Sequence, residues 1–292
     1  MNKIRISDVT MKQAAEGFCL SFKEKIELAK MLDKLGVDVI ELEGIENLRT
    51  DALRIKSIAA AVTESIVAVP VQLNPDSVNI TWNALQQAKK PRLQVCAPVS
   101  SVQMEYLFHK KPEAMLTAVE QTVKACKALC GDVEFIADDA TRADSEFLAK
   151  ALKTAIAAGA TTVTVCDTAG TMLPGEFAEF IAQLCQVCTV PMGVRCADTL
   201  SMADACVIAA AGKSVTEIKA AAYPLDTANL SNVVRVLAAK GDCMGVSCGI
   251  RVAQLSRVMD QIARVCQGGK RTAAAVAGKG RLFPLVEHGF GN

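Results

Sequence analysis

Eight short runs rich in Val and Ile, set apart by amphipathic stretches, constrain most strongly what this 292-residue chain can fold into. The runs are Ile4–Val9, Val37–Leu42, Ile66–Val71, Arg92–Ala97, Val133–Ala137, Thr161–Cys166, Met192–Cys196 and Val215–Ala220. They read as strands covered on both faces, because they are apolar runs rather than strict alternations. Helical patterns fill the gaps. Phe22 to Leu32 opens after Ser21, an N-cap residue with Glu24 three positions on. Pro112 to Leu129 repeats apolar residues at three and four, behind a proline suited to a first turn. Gly36 and Gly159 stop helices just before strands. Eight strand–helix units in about 240 residues predict a (β/α)8 TIM barrel. A doubly wound open sheet is the runner-up, but it would usually carry a glycine-rich phosphate turn after its first strand, and none is present. Residues 1–248 are expected to form the barrel. Residues 249–292 are expected to be a short C-terminal helical extension, with one helix near Ala253–Cys266.

Charge and cysteine usage narrow the partners. The 32 basic and 31 acidic residues leave a net charge of +1, so there is no electrostatic case for nucleic acid or an anionic membrane. Twelve Cys are scattered, and Cys96 and Cys166 sit inside apolar runs where a thiol behaves as a small hydrophobe. Cys185 and Cys188 form a C-x-x-C with no second pair at finger-like spacing, which favours packing over metal or redox chemistry. With no signal peptide and no apolar run long enough to span a bilayer, a soluble, reduced, cytoplasmic protein is expected.

In a barrel of this kind chemistry sits at the C-terminal strand ends and in the loops that follow them. Four stretches there resemble the isopropylmalate/homocitrate synthase family (the DRE-TIM, HMG-CoA lyase-like barrels). They are Lys89–Arg92, Ser100–Tyr106, Asp132–Asp144 and Val165–Gly170. The synthases read A-T-S-x-x-H-M-E-Y, V-E-F-x-x-E-D-A-T-R-S-D and I-P-D-T-V-G over the last three. The resemblance implies carbon–carbon bond formation or cleavage on a 2-oxo acid, with an acyl-CoA as co-substrate. It also implies a divalent metal and a homodimer. It puts the end of this chain where the synthases begin the linker to a leucine-binding domain, so control by leucine is not expected.

The same alignment departs from the family at the metal. The family's first strand runs into D-T-T-L-R-D-G-E-Q, and this chain has Asp8-Val9-Thr10-Met11-Lys12-Gln13-Ala14-Ala15-Glu16. The family's catalytic Arg falls on Lys12 and its metal-binding Asp on Gln13. The two His of V-H-x-H-x-D fall on Arg195 and Ala197, and the stretch Glu217–Asp226 lacks the Asn of N-G-x-G. Gln13, Arg195 and Ala197 do not make a Mg²⁺, Mn²⁺ or Zn²⁺ site, which wants carboxylate or imidazole. No metal and no cofactor is therefore expected, and the partner is expected to be a small anionic metabolite.

Four residues are expected to be catalytic: Lys12, Glu41, Asp138 and Arg195. Four more, Gln13, Arg142, Thr168 and Lys219, are expected to contact substrate. Glu41 matches a family Glu at the end of the second strand, and Asp138 replaces a family Glu. An Arg in a metal's place can grip a carboxylate through paired hydrogen bonds or neutralise an enolate. Strand alternation leaves the direction of Lys219 open, with the outward direction preferred. Asp139, Thr141, Arg142, Asp167, Thr168 and Asp198 match the family too. An Asp139–Arg142 pair and a Thr168 helix cap are equally good structural readings. His109 reads as a surface residue, and His288 weakly matches an H-E-S-G of the synthases.

Three functions follow. The preferred one is a Claisen-type acyltransferase or lyase in which cations polarise the carbonyl. The second is a metal-free aldolase with Lys12 or Lys219 forming an imine. The third is a non-catalytic paralogue binding a carboxylate metabolite.

Overall fold

In a computed structural model, the structure describes residues 1–13, 18–213 and 215–273, with side chains to residue 267. The chain runs β1 (Asn2–Asp8), α1 (Phe22–Leu35), β2 (Val39–Glu41), α2 (Leu48–Ala61), β3 (Ile66–Val71), α3 (Asp76–Leu85) and β4 (Pro91–Pro98). It continues through α4 (Ser101–Tyr106), α5 (Pro112–Leu129), β5 (Val133–Asp138), α6 (Ser145–Ala158), β6 (Thr162–Asp167) and α7 (Pro174–Cys185). Last come β7 (Met192–Cys196), α8 (Ala203–Ala211), β8 (Glu217–Ala220), α9 (Leu230–Met244), β9 (Val246–Cys248) and α10 (Val252–Ala273).

Each of β1 to β8 pairs in parallel with its neighbour, and β1 closes the ring against both β2 and β8. The result is a closed (β/α)8 barrel with a C-terminal helix. Helix α10 packs on α1 and α9, outside the ring. The eight predicted strands are all present, two of them, β3 and β7, with the predicted bounds. Strand β9 was not predicted. It pairs in parallel with the start of β1, Asn2 to Ile4, below the ring. His288 lies outside the described residues.

Local chemistry explains the helix ends. The Ser21 hydroxyl accepts a hydrogen bond from Glu24 N while the Glu24 carboxylate accepts one from Ser21 N, closing a capping box at α1. Gly36 ends α1 in the left-handed region at φ 91°. Gly170, in the β6 loop, has φ +63°, and a Cβ there would stand 2.6 Å from the Ala197 carbonyl oxygen. Only glycine fits this approach of the β6 loop to the β7 loop.

Two cores result, one on each side of the strands. The outward residues of β4, Leu93, Val95 and Ala97, join the aliphatic layer under the helices. The inward ones, Arg92 and Gln94, reach polar groups of β5 and β8. The barrel interior is thus charged where the apolar runs suggested burial on both faces. Short apolar runs hide single charged residues, and those charges survive inside because each meets an opposite one.

Candidate active site at the barrel mouth

The interior charges form a closed circuit. Lys12 Nζ, in the turn after β1, donates to Glu41 Oε2 at 3.0 Å and to Gln94 Oε1 at 2.9 Å. The Gln94 amide passes a hydrogen bond to Glu134 Oε2 at 2.7 Å. Glu134 pairs with Lys219 Nζ at 2.7 Å, and Lys219 returns to Glu41. Ser7 also donates to Glu41, at 2.8 Å. Toward the barrel floor, Arg92 Nη1 lies 3.0 Å from both oxygens of Glu217, and Arg92 Nε 3.0 Å from Asp132. Arg92 Nη2 is buried with no hydrogen-bond partner among the described residues.

Electrostatics hold this circuit in its charged form. Burial pulls the Lys12 ammonium toward neutrality, but Glu41, Cys96 and Glu134 together outweigh it and leave the pKa above its ordinary value. Lys219 is likewise raised: burial opposes its charge, and Glu134, Glu41 and Glu217 overcome that. Burial raises Glu41, yet Lys12 and Lys219 bring it well below the usual carboxylate range. Glu134 is also lowered, against burial, chiefly by Lys219.

Above the circuit, toward the C-terminal strand ends, lie Asp138 on β5 and Arg195 on β7. Arg195 shares the inward direction of Gly193, where a Cβ would press on Thr164 at 2.6 Å inside the barrel. Burial pushes the Asp138 carboxyl up, and the nearby positive charges of Arg195 and Lys12 only partly offset this. Arg195 lies in the fields of Cys166, Asp138, Glu41 and Asp226. Among the described residues, no hydrogen bond or ion pair ties its guanidinium to a partner. The thiols beside these groups stay protonated: burial lifts Cys96 to about 12 and Cys166 well above its usual value. Among the described residues the mouth therefore holds two cations, Lys12 and Arg195, and two carboxyls, Glu41 and Asp138, with Arg195 unpaired.

The expected residues divide accordingly. Lys12, Glu41, Asp138 and Arg195 come together at the mouth. Lys219 does not point outward, as preferred from sequence. It is 1% exposed inside the barrel, since β8 pairs Lys219 with Ser7 of β1 and directs Glu217 and Lys219 to one face. The other expected substrate contacts are engaged by the protein itself. The Gln13 amide donates to Tyr223 O at 2.9 Å and accepts from Leu225 N at 2.8 Å, joining the β1 loop to the β8 loop. Thr168 Oγ1 does not cap α7. It accepts from Asp139 N at 2.8 Å and props Asp139 in the left-handed region at φ 59°. Arg142 Nε and Nη2 each bond the Asp139 carboxylate at 2.8 Å. Sequence reading missed Gln94, Glu134, Arg92 and Glu217. Their signal was a polar residue at every second position of an otherwise apolar strand.

The expectation of no metal and no cofactor is not supported by the barrel interior. The carboxylates of Glu41, Glu134 and Glu217 lie within 4.8 Å of one another, a set a divalent cation could accept. They are in the barrel interior rather than on Gln13, Arg195 and Ala197, and the Lys219 ammonium stands among them. The amide, guanidinium and methyl group of Gln13, Arg195 and Ala197 offer a divalent ion no carboxylate or imidazole.

Comparison with known proteins agrees with the architecture. The HMGL-like family pattern matches residues 3–261. A 2-isopropylmalate synthase of Carboxydothermus hydrogenoformans is 28% identical over 289 residues, covering 96% of this chain and 57% of the relative. A probable 2-isopropylmalate synthase of Glycine max is 31% identical over 258 residues, covering 82% of this chain and 46% of the relative. This chain thus spans about half the length of those relatives. The HMG-CoA lyase of Brucella melitensis superposes with a TM-score of 0.74 at 14% identity, covering 91% of this chain and 100% of that one. None of the described helices is long and apolar enough to cross a membrane.

Proposed function

This chain belongs to the HMGL-like family, and on that premise we propose that it is a carbon–carbon bond enzyme acting on a 2-oxo acid without a metal at the mouth. The uncommitted, part-buried guanidinium of Arg195 carries this reading. A desolvated cation with no partner is costly unless an anion visits it. Arg195 grips the substrate carboxylate, and Lys12 polarises the adjacent carbonyl with an N–H left over from Glu41 and Gln94. Lys12 has three N–H donors and spends two of them on those acceptors.

Asp138 is the acid–base group: it is the carboxyl that stands with Arg195 and Lys12 at the strand ends, and burial raises its pKa. In the condensing direction Asp138 removes an α-proton from the acyl donor. The resulting enolate carbon adds to the 2-oxo carbonyl as its π bond opens, and the new alkoxide takes the proton that Asp138 holds, which restores the carboxylate. Cleavage is the reverse: the hydroxyl proton leaves, the carbon–carbon bond breaks, and the enolate is protonated. Lys12 and Arg195 hold the negative charge in both directions. An imine on either lysine is disfavoured, because both ammonium groups are held protonated by glutamates.

The test is a thermal-shift screen of 2-oxo acids and acyl-CoAs on metal-analysed protein, followed by turnover assays on the binders. Stabilisation by a 2-oxo acid that Arg195→Ala abolishes, with turnover lost in Asp138→Asn, is expected. Unchanged binding in Arg195→Ala, or a stoichiometric divalent ion required for turnover, would refute the proposal. Binding without turnover would instead mark a non-catalytic carboxylate receptor. The homodimer implied by the resemblance is part of the same proposal and is measured by sedimentation.

A further inference from the structure

We infer that Cys166 and Cys96 are positioning residues of the mouth: two neutral thiols that stand between Asp138 and the cations Arg195 and Lys12, and so leave the acid and the guanidinium free for substrate. The functional meaning rests on the proposed carbon–carbon reaction, while the insulation itself is measured without substrate.

Strand register puts Cys166 in the line from acid to guanidinium. Cys166 on β6 pairs directly with Arg195 on β7. On its other side Val165 pairs with Ala137 of β5, so the next step along both strands sets Cys166 beside Asp138. Cys166 and Asp138 point inward, because Thr164 and two positions further back Glu134 meet inside the barrel, and alternation returns to that face. Asp138 and Arg195 are therefore two strand spacings apart, about 10 Å between backbones. No ion pair joins them among the described residues. Cys166 is buried, whereas Asp138, Arg195 and Cys96 are half-buried. Cys96 stands the same way toward Lys12. Its inward neighbours on β4 are Gln94, which accepts from Lys12, and Pro98, which pairs with Asp138. The thiol thus lies between the level of the ammonium and the level of the carboxyl.

A thiol is a weak hydrogen-bond donor and a weak acceptor, and burial keeps both of these protonated, so neither carries a charge. A hydroxyl in the place of Cys166 would accept from Arg195 and donate to Asp138, tying the two into a bridge and holding the carboxyl ionised. With sulfur there, Asp138 stays above its ordinary pKa and Arg195 keeps its donors. The groups facing Asp138 are Cys96 from β4, Cys166 from β6, Arg195 from β7, Lys12 from the turn after β1, and its own neighbour Asp139. Burial and the Asp139 charge oppose its ionisation; Arg195, Lys12 and the weak Cys166 donor favour it.

The experiment is NMR of protein labelled at aspartate carboxyl carbons, with Asp138→Asn to identify the resonance. It follows the Asp138 titration in wild-type, Cys166→Ser, Cys166→Ala and Cys96→Ser protein. Wild-type Asp138 should titrate above 3.8. Cys166→Ser should lower that midpoint by about one pH unit, because a hydroxyl bonds the ionised form better than a thiol does, and Cys166→Ala should not lower it. Pyruvate, a small 2-oxo acid, should bind Cys166→Ser about tenfold more weakly than Cys166→Ala, since only the hydroxyl engages Arg195. Cys96→Ser should show the same downward shift, and it decides if Cys166→Ser does not fold; an unshifted midpoint there then refutes the inference. Equal midpoints in Cys166→Ser and Cys166→Ala, or a wild-type midpoint at or below 3.8, would overturn it. The expected shifts in a wild-type protein that binds no pyruvate would uphold the insulation and count against the proposed reaction instead.

Discussion

Replacing Lys219 by Met keeps most of the side-chain volume and deletes one charge, so it isolates the electrostatics of the barrel interior. Glu41, Glu134 and Glu217 are all buried, and Lys219 is the cation they share. Removing one partner of a buried ion pair costs about 3–5 kcal/mol, because the remaining charge is left uncompensated. For a chain of this size that corresponds to a fall in melting temperature of roughly 5–8 °C at neutral pH. The pH dependence has a definite sign. In the wild type Glu41 and Glu134 are lowered below the ordinary 4.5, so their contribution is present above that pH and is lost only in stronger acid. Without Lys219 the burial effect dominates, and at least one of these carboxyls rises above 4.5. Its folded form then binds a proton that the unfolded chain has released, so the variant loses stability as pH rises from about 4.5 toward 8. The stability deficit of Lys219→Met should therefore be smallest near pH 5 and largest near pH 8. Thermal melts of both proteins across that range, followed by circular dichroism, measure it. A deficit that is constant with pH, or that grows in acid, would refute the charge accounting of the barrel interior.

Three further outcomes are expected. Gly170→Ala should destabilise by roughly 2–4 kcal/mol, combining a left-handed backbone with a Cβ 2.6 Å from Ala197 O, and urea unfolding will register it. Asp8 has its pKa raised to about 6, because burial outweighs the hydrogen bonds it accepts from Ala222 and Thr10. A carboxyl raised in the folded state favours folding at low pH and loses that advantage as pH rises through the folded value, here about 2 kcal/mol between pH 4 and 7. Asp8→Asn should flatten this component, as seen in urea-derived stabilities at the two pH values. Gln13→Ala orphans Leu225 N and frees the link between the β1 and β8 loops. It should cost about 1–3 kcal/mol and speed amide exchange at Tyr223 to Leu225 while leaving the far side of the barrel unchanged.

Much of the fold was legible in the chain because local signals agree with one another. The capping pair Ser21 and Glu24, Pro112 at a first turn, and Gly36 and Gly159 at helix ends all state where elements begin and stop. Lys12, Glu41, Asp138 and Arg195 were placed at the mouth because each stands at or just beyond a strand end. Strand β9 was not legible. Three residues carry no period, and they form a strand only because the start of β1 offers an unpaired edge. Thr168 was read as a helix cap since it precedes α7, yet its hydroxyl serves a neighbouring loop that sequence spacing does not bring near.

Residue order alone determined the eight barrel strands and their parallel arrangement, and it put Gln13, Arg195 and Ala197 where the resemblance has carboxylate and imidazole, since these depend on composition and period along one chain. Only the closed ring decided which way Lys219 faces. In the four residues of β8 the charged Glu217 and Lys219 fall on one alternation and the apolar Ile218 and Ala220 on the other, and which set faces the barrel interior is decided by register against β1. That register carries Lys219 inward to three glutamates, at least two of them far from it in sequence, where a buried charge is tolerated because its counterions are already there.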